Sequence, residues 1–316
     1  MPNLKPGINY LSFTRDGKTL LVGTLTGQIR FVDPVTGEVK RTLRAHSSAV
    51  YMTMLTRDEK LLASSSRDNN AKIWDVVTGR ELHNFNGFRC SVKAVAFSPD
   101  DLSVAASGND GMLKFWDVKT GTELKSLVHR DSPDIDMATY AFVFSRDGKQ
   151  IYAGNGDGTI SVWDIATGKE IRNWKAHQNT VFKVLISSDH HRLISLGDGV
   201  KVWDTTTWRQ VQELSVPKTS EADLLPSALA ISHNGKLIAA SFIELDRKRN
   251  VYAGLYAIVW NAKTGERLFS LSGHKLDINA LTFTGDDRFL LTGSVDTTIK
   301  FWDMNNGQEV RTITMR

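Results

Sequence analysis

LSGHKLDINALTFTGDDRFLLTGSVDTTIKFWDMNNGQEV, residues 271–310, decides how the rest of the chain is read. It alternates from Ile278 to Phe283 and turns at Gly285-Asp286-Asp287. It runs again from Phe289 to Thr292 and turns at Val295-Asp296. A third run, Ile299 to Trp302, leads to Asp303 and a turn at Asn305-Asn306-Gly307. Short β-rich runs broken by Gly, Asp and Asn predict antiparallel strands joined by hairpins, and a fourth run after Gly307 completes a small sheet. One such sheet cannot bury both of its faces, so the pattern demands neighbours.

The Trp-Asp ending recurs at Trp74-Asp75, Trp116-Asp117, Trp163-Asp164 and Trp203-Asp204, with Trp260-Asn261 and Val32-Asp33 filling two further places. Steps between the seven acidic or amide positions are 42, 42, 47, 40, 57 and 42 residues. Four strands in a period of about 40–45 residues, framed by Gly-His and Trp-Asp, make the chain resemble the WD-repeat β-propeller family over nearly its whole length. The resemblance implies an all-β, seven-bladed WD-repeat β-propeller with four antiparallel strands per blade. Residues 1–316 are then a single propeller, with blades at approximately 8–43, 46–85, 88–127, 129–174, 177–214, 216–271 and 274–316.

Composition agrees with that expectation. Hydrophobic residues make up 41% of the chain, enough to fill the gaps between sheets. The 39 basic against 35 acidic residues leave +4, too mild an excess to indicate nucleic acid. Cys90 is the only cysteine, so no intrachain disulfide can form, which fits a reducing compartment. The start, MPNLKPG, has no apolar signal core, and the longest apolar stretch, around Tyr252 to Trp260, is too short to span a bilayer. These features predict an intracellular, cytoplasmic protein without cofactor or metal. Each blade reads as contiguous in sequence, which predicts either that side-chain packing alone closes the ring or that the chain comes from a longer polypeptide.

A Ser, a His and an Asp recur together and invite a hydrolase reading. Blade two has His46, Ser64, Asp68 and Trp74; blade five has His177, Ser195, Asp198 and Trp203; blade seven has His274, Thr292, Asp296 and Trp302. Three copies argue against an active site, which needs one nucleophile on a strained turn beside an oxyanion hole. The family resemblance implies instead a structural hydrogen-bond chain from Trp through Ser/Thr and His to Asp. Phe88 stands in the His place of blade three, with Asp110 and Trp116 kept. His129 is a candidate for blade four beside Asp157 and Trp163. Blades one and six lack most of the set, with Thr26 and Asn261 near the equivalent turns.

Three other signals read more simply as turns. Gly154-Asn155-Gly156-Asp157-Gly158 imitates a phosphate loop, but no predicted helix follows it. Asp189-His190-His191 imitates a metal site, yet neighbouring strand residues face opposite ways. Arg247-Lys248-Arg249 is a basic hairpin tip able to meet phosphate or an acidic partner.

Insertions at 129–138, 215–226 and 244–250 fall before inner strands or between second and third strands, which share one side of the disc, the top in this family. Insertions on one face mark a binding face. One column of the inner strands reads Asn9, Tyr51, Lys93, Tyr140, Phe182, Ser227 and Asn279; Arg67 and Asn109 precede turn aspartates. In the family these positions are expected at the top rim of the central channel, and Tyr, Phe, Arg and Lys are enriched at interface hot spots. The sequence therefore predicts a non-catalytic, monomeric scaffold domain, alone or within a larger chain. It presents Tyr51, Arg67, Lys93, Tyr140, Phe182, Asn279, Arg247, Lys248 and Arg249 to protein or peptide partners, with no membrane contact. A nucleic-acid or acidic-partner reader using the basic residues is the alternative. A propeller-scaffold enzyme is disfavoured, because the rim column holds neither acid nor His.

Overall fold

The computed structural model describes residues 6–128, 138–216, 223–246 and 251–315. Twenty-eight strands form seven four-stranded antiparallel sheets, each built from four consecutive strands. The first sheet is β1 (Ile8–Phe13), β2 (Leu20–Thr24), β3 (Gln28–Val32) and β4 (Val39–Arg44). Every residue of β2 is buried, whereas β4 buries only Leu43. The middle strands are covered on both faces by neighbouring blades, so they read as unbroken apolar or small-residue runs; the fourth strand borders solvent and alternates.

The core consequently lies between blades. One cluster joins Ala63, Ile73 and Phe85 of the second sheet to Val95, Val104 and Trp116 of the third. Another joins Ile8, Leu11 and Leu20 to Leu291, Ile299 and Ile313, so the seventh sheet packs on the first. Among the described residues no strand is exchanged across that seam. Side chains hold it instead: Asn279 Nδ2–H donates to Asn9 Oδ1 at 3.2 Å, and Arg311, lying over the Phe301 ring, donates to the carbonyls of Pro34 and Val35. Arg41 and Lys125 make the same reach to the next blade's outer turn, at Val76–Val77 and Ile165–Ala166.

Two turn designs repeat. Between third and fourth strands the Asp of Trp-Asp caps its own turn: Asp75 Oδ1 accepts from the Thr78 amide and hydroxyl at 2.7 and 2.8 Å. Asn261 does the same for the amides of Lys263 and Thr264, which explains why Asn can stand there. Between first and second strands a Ser/Thr-x-Asp/Asn turn recurs, as in Thr56 O–H to Asp58 Oδ1 at 2.7 Å. Its fourth residue always has positive φ and is acidic in three blades. Each of those carboxylates accepts an amide N–H from the preceding blade: Glu59 from Arg15, Asp101 from Arg57, and Asp287 from His233 and Asn234, at 2.5–2.9 Å.

Blade six departs from the loop reading of its insertions. β21 (Asp223–Ile231), β22 (Leu237–Asp246) and β23 (Val251–Asn261) are longer than their counterparts, and Asp223–Pro226 pairs with Phe242–Leu245. Much of what reads as insertion is strand, because Leu224, Leu225, Ile243 and Leu255 continue the sheet's β-rich pattern beyond the disc. The inner strand of blade five also starts later than predicted, at Lys183 rather than Val181.

Candidate functional site

The His-Asp sets form continuous hydrogen-bond chains. In blade two Trp74 Nε1–H donates to Ser64 Oγ at 2.9 Å, Ser64 Oγ lies 2.8 Å from His46 Nε2, and His46 Nδ1 lies 3.0 Å from Asp68 Oδ2. The network is complete when Ser64 donates to Nε2 and Nδ1–H donates to the carboxylate. Asp68 also accepts the Ser47 amide at 3.0 Å. Blade five repeats the path through Trp203, Ser195, His177 and Asp198, at 2.8, 2.7 and 2.6 Å. Blade seven repeats it through Trp302, Thr292, His274 and Asp296, at 2.9, 2.7 and 3.0 Å.

Burial pushes the Asp68 and Asp296 carboxyls up. Hydrogen bonds from His46 and His274, together with backbone amides, outweigh it and hold both well below the ordinary carboxylate range. The three hydroxyls are wholly buried, so no substrate carbonyl can reach them. Each chain ties the turn before the inner strand to the second and third strands. Asp296→Ala is therefore expected to destabilise the fold by about 2 kcal/mol, by removing the carboxylate that accepts from His274, the Lys275 amide and the Thr298 hydroxyl. Asn305→Ala, at an exposed turn residue that loses one side-chain bond to Asp303, should be nearly neutral. Equal thermal midpoints for the two variants would overturn this assignment.

Blades three and four solve the same problem differently. Buried Phe88 lies 6.0 Å from the Trp116 ring, centroid to centroid, and Phe85 stacks on that indole at 4.5 Å. Asp110 keeps the backbone half of its role, accepting the Arg89 amide at 2.9 Å. In blade four His129 lies outside the described residues. The described path runs from Trp163 Nε1–H to Ser161 Oγ, from Asn155 Nδ2–H to Ser161 and Thr159, and from Thr159 O–H to Asp157. Sequence reasoning missed Asn155, Ser161 and Thr159; the signal was three small polar residues on strands otherwise apolar. Blade six anchors Trp260 Nε1–H on the Ser215 carbonyl at 3.0 Å, and blade one has a Thr24–Thr26 hydroxyl pair at 3.0 Å.

The decoy signals sit in turns. Asn155 of the glycine-rich run is buried, and the described residues contain no helix to follow it. Asp189 Oδ1 accepts the Ser187 hydroxyl and the His191 amide, which employs it in the recurring turn. Among the described residues no cluster of three or more His, Cys, Asp or Glu could hold a metal, and no helix is long and apolar enough to cross a membrane. Arg247, Lys248 and Arg249 lie outside the described residues, and Arg67 is exposed on its turn.

The rim column is brought together. Asn9, Tyr51, Lys93, Tyr140, Phe182, Ser227 and Asn279, one from each blade, line a single cavity of about 220 Å³ at the axis of the ring. Register explains the convergence. Asn9, Tyr51, Lys93, Tyr140 and Asn279 are each the extra residue of a β-bulge between first and second strands. A bulge re-aims its side chain, here toward the channel mouth. Blade five shows no such register shift, and there both Phe182 and Lys183 reach the cavity.

The cavity wall has two unlike arcs. From blade six to blade one it is an amide relay: Ser227 O–H donates to Asn279 Oδ1, Asn279 to Asn9, and Asn9 to the Val50 carbonyl at 2.7 Å. From blade two to blade five it is aromatic and cationic. Lys93 Nζ lies 4.1 Å from the Tyr51 ring centroid and 5.7 Å from that of Tyr140, and Tyr140 meets Phe182 edge-on at 5.8 Å. Burial, then the nearby charge of Lys93, pushes Lys183 down to about 8. Sequence reasoning passed over Lys183 because its column assumed one rim residue per blade.

The model of the family described as WD domain, G-beta repeat, matches residues 37–75, 79–117, 121–164 and 265–303, about half of the chain. WD repeat-containing protein 41 of Mus musculus is 35% identical over 86 residues, 24% of this chain and 19% of that protein. Periodic tryptophan protein 2 of Arabidopsis thaliana is 26% identical over 130 residues, 40% of this chain and 13% of its own length. Eukaryotic translation initiation factor 3 subunit I of Saccharomyces cerevisiae is 43% identical over 56 residues, 18% of this chain and 16% of that subunit. The chain thus spans less than a fifth of the length of these relatives. The β-propeller domain of Myceliophteria thermophila Cps50 (Swd1) superposes with a TM-score of 0.77 at 17% identity, covering 99% of this chain and 98% of that one. At that identity the likeness is one of fold.

Proposed function

The chain belongs to the WD-repeat family, and from that premise we infer that it is a non-catalytic scaffold that presents its top face to a protein or peptide partner. Propellers of this family are generally interaction scaffolds and generally not enzymes. In this reading the whole chain acts as one cytoplasmic unit, its seven blades jointly supplying the face. The observation that carries it is the convergence of seven rim side chains on one axial cavity, with Tyr51, Tyr140 and Phe182 half-exposed there. Aromatic side chains offer large contact area with few rotors to immobilise, which suits them as anchors.

The test starts from a partner recovered by pulldown and titrated against purified variants. Tyr140→Ala and Phe182→Ala should each weaken binding about 30-fold and leave the melting temperature nearly unchanged. Lys149→Ala and Lys169→Ala, in a turn and at the start of a fourth strand on the opposite face, should leave affinity alone. Loss of binding only in the second pair would reverse the face assignment.

A further inference from the structure

We propose that the axial cavity takes the carboxylate side chain of an acidic residue from a peptide partner, held between the ammonium groups of Lys93 and Lys183. This rests on the top-face reading above and adds the chemistry of what enters it.

Among the described residues the wall holds two lysines and no acid. Elsewhere the chain pairs its lysines with glutamate across strands three and four of a blade, as in Lys72–Glu81 at 2.9 Å, Lys114–Glu123 at 3.4 Å and Lys300–Glu309 at 2.8 Å. Lys93 and Lys183 have no carboxylate within ion-pair distance among the described residues. Two like charges share a partly enclosed space, an arrangement that an incoming anion relieves. Burial first, and the Lys93 charge second, lower the Lys183 ammonium, and an anion placed between the two would offset both.

The neutral arc offers little competition, since Asn9 and Asn279 already spend amide N–H groups on the relay and Ser227 donates its hydroxyl to Asn279. The strongest donors left at the mouth are therefore the two ammonium groups. A cationic guest is disfavoured on the same geometry, because Lys93 already occupies the aromatic face that would attract it. The rings of Tyr51, Tyr140 and Phe182 are placed to flank the aliphatic stem of a Glu side chain. At about 220 Å³ the space suits one side chain rather than a folded segment.

The experiment selects binders to the intact chain from a degenerate dodecapeptide library that includes phosphoserine, then measures the best peptide by fluorescence anisotropy. The expected result is enrichment of Glu or Asp at one position. Glu→Gln in the peptide should weaken binding about 30-fold, and Lys93→Met and Lys183→Met in the chain should each weaken it tenfold or more. Lys183→Arg should retain most of the affinity. Circular dichroism melts of the variants show whether the fold persists, and amine acylation of Lys183, read by mass spectrometry in the wild-type chain, should be blocked by the bound peptide.

Unchanged affinity in both Met variants, with loss in Tyr140→Ala and Phe182→Ala, would overturn the carboxylate assignment and leave the top face standing. Unchanged affinity in all four would overturn both. Selection of Lys or Arg, no acidic preference, a strong preference for phosphoserine over Glu, or unprotected Lys183 would each overturn the proposal.

Discussion

Gly158→Ala should lower the unfolding free energy by about 3 kcal/mol or more, through a single added methyl group. Gly158 has φ +80°, where a Cβ alone costs about 1–2 kcal/mol. Its surroundings add the rest. A Cβ there would stand 2.4 Å from the His177 carbonyl oxygen and 2.6 Å from that of Asn179, both backbone atoms that cannot rotate aside. The Gly158 carbonyl also accepts the amides of Ala176 and His177, so yielding would break the entry to blade five. Gly17→Ala is the matched control, with φ +68° and nothing within 4 Å of the new atom. Urea unfolding of the two variants separates strain from collision, and equal losses would show that the close approach costs nothing.

Trp208 presents the reverse case. In the turn between third and fourth strands six blades place Gly, with φ of 69–78°, where blade five places Trp208 at +60°. The side chain compensates by packing edge-on to Tyr152 at 5.1 Å and against Trp174 at 5.6 Å. Trp208→Ala should cost about 3 kcal/mol, since it loses those contacts and keeps the strained backbone. Trp208→Gly should be about 1 kcal/mol less damaging, because glycine adopts positive φ freely. A glycine variant less stable than the alanine variant, by thermal or urea unfolding, would remove strain from the explanation.

These residues show where the sequence was legible. The blade count and the His46, His177 and His274 chains could be read because each set recurs at a fixed spacing. The rim column was also visible in outline, although its cause, a bulge in the inner strand, has no residue signature. Lys183 escaped because blade five lacks the register shift that the other columns share. Asn155 and Ser161 escaped because together they carry the path to Trp163 that Ser/Thr and His carry in the other complete blades, and Thr159 because its bond to Asp157, repeated by Thr298 to Asp296, lies outside the Trp-Ser/Thr-His-Asp pattern. The extended strands of blade six looked like loops because their length broke the period, although Leu224, Leu225 and Ile243 kept a strand's composition. Periodic information survives in one dimension; a substitution that preserves a function by another route does not.

The carboxylates of Glu59, Asp101 and Asp287 give the disc an uneven compliance. They stitch blade one to two, two to three, and six to seven by bonds to backbone amides. The equivalent residues of blades one, four, five and six are Gly17, Gly148, His190 and Gly235; the glycines have no side chain to make that stitch, and the His190 Nδ1 has no hydrogen-bond partner. Three joints therefore resist splaying on the face opposite the rim, Lys125 ties blade three to blade four at the outer turn, and the joints from blade four to blade six, which have neither fastening, yield more readily. Tyr140 and Phe182 sit on that softer arc, while Tyr51 and Lys93 stand on the stiffer one. A guest entering the cavity would meet one wall that holds its shape and one that can close on it.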